Sequence, residues 1–101
     1  MIEIHIGNSL IEEVDPSWIS QHLNLRKKEG KSVCVKVFIK KDDISILLTT
    51  PNCGNNGNGR PPNQIEKALF ELWEESKLNT NNFSSGNLIS FLKRARKIVD
   101  Y

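Results

Sequence analysis

Apolar and polar residues alternate in the first six positions. Ile2, Ile4 and Ile6 fall on one side of an extended chain and Glu3 and His5 on the other, which predicts a short half-buried strand. Gly7-Asn8-Ser9 breaks the run, and residues 10–14 read as a connector with apolar ends. At Asp15-Pro16 the spacing becomes helical. The Asp15 carboxylate suits the unpaired amides of a first turn, and Pro16 has no amide hydrogen to lose there. Val14 and Ile19 stand at the positions of a hydrophobic staple. Trp18, Ile19, His22 and Leu23, with Leu25 at the margin, form the expected buried stripe. Lys27 and Lys28 suit the negative end of the helix dipole, and Gly30 suits a left-handed stop.

Residues 31–50 read as a hairpin. Val33, Val35, Val37 and Ile39 share one face of the first arm, and Ile44, Ile46 and Leu48 one face of the second. A turn centred on Lys41-Asp42 would pair Ile39 with Ile44, Val37 with Ile46 and Val35 with Leu48, and a slip of one residue would destroy that match. The other face then carries Cys34, Lys36, Phe38, Lys40, Ser45, Leu47 and Thr49, a polar surface interrupted by Phe38 and Leu47.

Residues 51–62, PNCGNNGNGRPP, hold nothing that packs in a core and read as an exposed, mobile loop. The helix that organises the chain follows, from Pro61 or Pro62 to about Leu78. Ile65, Ala68, Leu69, Leu72, Trp73 and Ser76 make its inner side, and Glu66, Glu71, Glu74 and Glu75 its wet side. Trp73 reads as a core anchor of that helix. Phe83 and Leu88 bracket Ser84 as a second staple around a serine cap, and Leu88, Phe91, Leu92, Ala95, Ile98 and Val99 carry a last helix to the C-terminus. The expected fold is therefore α+β, a single two-layer domain over residues 1–101 in the order β-α-β-β-α-α. Its small sheet is three-stranded and mixed, with the helices packed on one face and a right-handed crossover making the first two strands parallel.

Composition narrows the function classes. Of 101 residues, 38% are hydrophobic and 26% charged, and the net charge of +2 does not by itself demand an acidic partner. No apolar run is long enough to span a bilayer and no leader precedes the first strand, so the expected compartment is the cytoplasm, without a membrane partner. Cys34 and Cys53, one in a strand and one in a loop, are expected to remain reduced thiols.

Candidate chemistry is sparse. Gly54, Gly57 and Gly59 lie between a predicted strand and a predicted helix, where backbone amides cradle anions. Arg60-Pro61-Pro62 stands where a phosphate loop has Lys-Ser or Lys-Thr, and two prolines remove two donors, so a plain connector is the stronger reading. His5 and His22 have no local nucleophile or metal-ligand spacing around them, so no catalytic residue, metal ligand or cofactor site is assigned and no enzyme is expected. The favoured function is a protein-interaction or accessory domain, with Phe38 and Leu47 as contact patch and another protein or a second copy of the chain as partner. The alternative is nucleic-acid binding through Arg60, Lys93, Arg94, Arg96 and Lys97, with a solvated basic helix end as its structural counterpart.

Overall fold

The alternation that marks the first strand recurs in two further segments, and these three pair with a fourth, shorter strand in one sheet. A computed structural model of the chain describes residues 2–7, 9–12, 16–30, 33–53, 60–80 and 82–99. In order these form β1 (Ile2–Ile6), β2 (Ser9–Glu12), α1 (Pro16–Lys28), β3 (Val35–Lys41), β4 (Ile44–Thr49), α2 (Gln64–Glu75) and α3 (Ser85–Val99). A 3-10 turn, Pro51–Cys53, follows β4. The class is α+β, but the sheet has four strands in the order β2-β1-β3-β4 and every pairing is antiparallel. The expected three-stranded mixed sheet is thus corrected.

The cause is the connector after β1, which is itself a strand. Gly7, at φ 62°, turns the chain, and Ile11 comes to lie opposite Ile4 and Ser9 opposite Ile6. The Gly7 amide donates to the Cys34 carbonyl at 2.8 Å, and a Cβ on Gly7 would stand 3.0 Å from the Arg26 guanidinium carbon. The positive φ is what favours glycine there; the guanidinium is the far end of a flexible side chain and could move aside for a Cβ. This extra reversal changes the sense of all that follows. β2 and β3 both run antiparallel to β1, so they run parallel to each other. α1 is a crossover between parallel strands after all, but it leaves from β2 and spans the position held by β1.

The second hairpin turns at Asp42-Asp43, with Asp42 at φ 52°. Lys41 faces Ile44, Ile39 faces Ile46 and Val37 faces Leu48, two residues away from the expected register. A shift of two leaves every side chain on its expected face. Ile4, Ile6, Val35, Val37, Ile39, Ile44, Ile46 and Leu48 accordingly form one buried face.

The helices cover that face. α3 packs against both α1 and α2, and α2 also lies along β4. Ser84 caps α3 by accepting the Asn87 amide at 3.2 Å, and Phe83 and Leu88, on either side of it, are both buried. Phe91 meets Trp73 edge to face, 5.1 Å between centroids. α1 touches the helix layer from one side only and buries just Ile19 and Leu23. Trp18 and Leu25, expected inside, are each 59% exposed, because a helix at the margin of a layer buries a narrow stripe. Gly30, at φ 70°, stops α1 as expected, and Val14 and Asp15 lie outside the described residues.

Cys34 and Cys53, expected as separate thiols, are joined in a disulfide with their Cα atoms 4.8 Å apart. The Thr50 amide donates to the Val35 carbonyl at 3.1 Å, so the 3-10 turn folds back onto the start of β3 and brings Cys53 to Cys34. No helix among the described residues is long and apolar enough to cross a membrane.

Candidate functional site

Three places carry the sequence-predicted residues: the start of α2, the open face of the sheet and the exposed side of α3.

α2 begins at Gln64, not at Pro61 or Pro62, because Asn63 caps it. The Asn63 Oδ1 accepts the Glu66 amide at 2.8 Å and Glu66 Oε1 accepts the Asn63 amide at 3.0 Å, a reciprocal capping box. Glu66 is therefore not on a wet face. It is 2% exposed, and its carboxylate takes three more hydrogen bonds: Arg60 Nη1 to Oε1 at 2.8 Å, Arg60 Nη2 to Oε2 at 2.9 Å and the Ser45 amide to Oε2 at 3.0 Å. Arg60 Nη2 also donates to the Asp43 carbonyl at 3.1 Å. Burial pushes the Glu66 pKa up, but the Asn63 and Ser45 amides and the Arg60 guanidinium outweigh it and hold the carboxyl below its ordinary value.

A carboxylate so fully paired is a clamp, not an acid or base in waiting. It joins the end of the glycine-rich segment, the β3–β4 turn and the first turn of α2. One helical face further along, the Trp73 indole donates to the Thr49 carbonyl at 3.3 Å, and Trp73 is buried as expected. Glu66 and Trp73, two turns apart, thus pair with the outward backbone groups at the two ends of β4. α2 closes that sheet edge to further strands. Arg60, expected in the nucleic-acid set, is engaged in this clamp with its side chain 48% exposed.

On the sheet face away from the helices, Phe38 stands directly opposite Leu47, both half-buried. Glu3 flanks Phe38 on β1, and the neighbouring row runs Leu10, His5, Lys36 and Thr49. Leu10 is 55% exposed, and His5 Nε2 lies 3.9 Å from Glu3 Oε2. The predicted patch is thus brought together as one cross-strand pair, with charges around it. Leu10 does not stand out in the sequence as part of this face, because residues 10–14 read as a connector.

Lys93, Arg94, Arg96 and Lys97 are all exposed on α3. The basic residues of α1 do not extend that face freely. Lys27 donates to the Phe83 carbonyl and lies 4.9 Å from the Phe83 ring centroid, and Arg26 packs on Gly7. Gly54, Gly57 and Gly59 lie outside the described residues. His22 Nδ1 is 2.8 Å from the Trp18 carbonyl oxygen, a contact within its own helix. Among the described residues, no three His, Cys, Asp or Glu side chains converge as metal ligands would. The one signal for the clamp available beforehand was Asn63-x-x-Glu66, a cap spacing directly ahead of an apolar run.

Compared with models of protein families, with curated proteins and with solved structures, the chain matches none.

Proposed function

We propose that the chain is a non-enzymatic interaction domain whose contact surface is the open sheet face around Phe38 and Leu47. The observation that carries this reading is the Phe38–Leu47 pair itself: two large apolar side chains directly opposite each other on the sheet face away from the buried one. Folding alone is served by a polar residue at either position, since the sheet buries its other face. An aromatic–aliphatic centre with charges at its rim is the composition of a protein contact. The partner is another protein or a second copy of this chain, and neither a cofactor nor a membrane is invoked.

A photo-crosslinking residue placed at Lys36, beside Phe38 in the row, tests this in the native host. One dominant protein adduct, lost when Phe38→Ser is added and insensitive to salt, is the expected result. No adduct, or adducts unaffected by Phe38→Ser, would overturn the reading. The second reading, nucleic-acid binding, draws on the four exposed cations of α3. It predicts salt-dependent co-purification of RNA or DNA that disappears on charge reversal at Lys93, Arg94 and Lys97. The proposed cytoplasmic compartment has the Cys34–Cys53 disulfide against it, since such bonds persist mainly in oxidising compartments. It is tested by fractionating the native host: recovery of the chain with the cytosol is the expected result, and recovery outside it overturns the assignment.

A further inference from the structure

We propose that the cleft between the end of α2 and the middle of α3 binds a small phosphorylated polyol. The cleft measures about 320 Å³ and is lined by Glu75, Ser76, Lys77, Asn87, Ser90 and Arg94. Every lining side chain is polar, so an apolar ligand gains nothing there. Two are cations and one is a carboxylate, and no ion pair among the described residues ties any of the three. Asn87, Ser90 and Arg94 follow one another at intervals of three and four along α3, which sets them on one side of that helix.

Lys77 is the residue that folding does not account for. α2 ends in a Schellman motif: the Leu78 amide donates to the Trp73 carbonyl at 3.3 Å and the Lys77 amide to the Glu74 carbonyl at 3.0 Å. The residue at the bend must be left-handed, and Lys77 is, at φ 58°. Glycine takes that conformation without the clash a Cβ brings. Lys77 thus holds a conformation that glycine takes at lower cost, and it is one of the residues that line the cleft.

The lining separates into two chemistries. Lys77 and Arg94 suit a phosphate, the guanidinium by paired donation and the ammonium as a point charge. The Glu75 carboxylate, the Asn87 amide and the Ser76 and Ser90 hydroxyls suit hydroxyl groups, which both donate and accept. No aromatic side chain lines the cleft, so a nucleobase has nothing to stack on. Glu75 also disfavours a ligand that is all anion.

The test is a ¹⁵N-amide titration of the full chain with ribose 5-phosphate, with ribose, inorganic phosphate and a single-stranded oligonucleotide as comparisons. Saturable shifts at Ser76, Lys77, Asn87, Ser90 and Arg94 are expected, with ribose and phosphate each at least about tenfold weaker. Arg94→Gln should abolish binding. Lys77→Gly should abolish it too while leaving the thermal midpoint equal or higher, which separates loss of the ligand from loss of the fold. Glu75→Gln should weaken ribose 5-phosphate but not inorganic phosphate. Absence of saturation, or unchanged binding in Lys77→Gly, overturns the proposal. A lowered midpoint in Lys77→Gly does so as well, by showing that the lysine serves the fold. If the oligonucleotide binds more tightly and its binding needs Lys93 and Lys97, the cleft is part of a nucleic-acid face and the polyol reading falls.

Discussion

Replacing Glu66 by glutamine keeps the size of the side chain and removes the charge that four donors share. In the native protein the two carboxylate oxygens accept from Arg60 twice, from the Ser45 amide and from the Asn63 amide, at 2.8 to 3.0 Å. A glutamine offers one oxygen and turns an NH₂ group toward donors, so two of those four lose their acceptor. Removing one partner of a fully buried pair costs about 3–5 kcal/mol. The Arg60 side chain is 48% exposed and can turn to water, so its share of that cost is small. The Ser45 amide, in a part-buried bond to Oε2, loses its acceptor. We expect a loss of about 2 kcal/mol at neutral pH, one orphaned amide plus one weakened charge-assisted bond.

The pH dependence sharpens the test. The folded-state pKa of Glu66 lies below its ordinary value of 4.5, so its contribution is fully present above 4.5 and is lost as pH falls through the folded pKa. The Glu66→Gln variant has no proton to take up there. Urea titrations of both proteins at neutral pH and in steps below pH 4.5 read the difference. The gap should be widest at neutral pH and shrink in acid. A gap that is constant across the range, or below about 0.5 kcal/mol at neutral pH, would show that the carboxylate is hydrated and that the clamp contributes nothing.

Leu69, with no exposed surface, should lose about 2–5 kcal/mol as Leu69→Ala, while Glu71→Ala on the exposed side of the same helix should change stability by less than about 0.5 kcal/mol, both read by denaturant titration. Reducing the disulfide, which closes a sequence separation of 19, should cost about 3 kcal/mol on the chain-entropy account, and Cys34→Ser should lose the same amount and gain no further loss from reductant. Trp18→Ser and Leu25→Ser should each change stability by less than about 0.5 kcal/mol, because both side chains are mostly in water, and a large loss in either would return them to the core.

Residues whose role depends only on near neighbours were legible in the chain itself. Alternation marks β1, β3 and β4 and chooses their buried face, since the pleat sends successive side chains to opposite sides whatever lies beyond. The stop at Gly30 and the cap at Ser84 are equally local. What needed the tertiary structure was every pairing of distant segments. A four-residue strand such as Ser9–Glu12 has too short a period to stand out, and only its partner β1 makes it a strand. Its presence then reversed the sense of the sheet. Glu66 reads as surface by its charge, and becomes interior only because Ser45 and Arg60 arrive from either side of it. Trp18 and Leu25 read as interior by their bulk, and stay outside because α1 borders the helix layer. Cys34 and Cys53 became a pair when the turn after β4 doubled back on β3. Hydrophobicity along the chain determines which face of an element is buried, but where the elements meet, and so which polar groups find partners, is decided by packing in three dimensions.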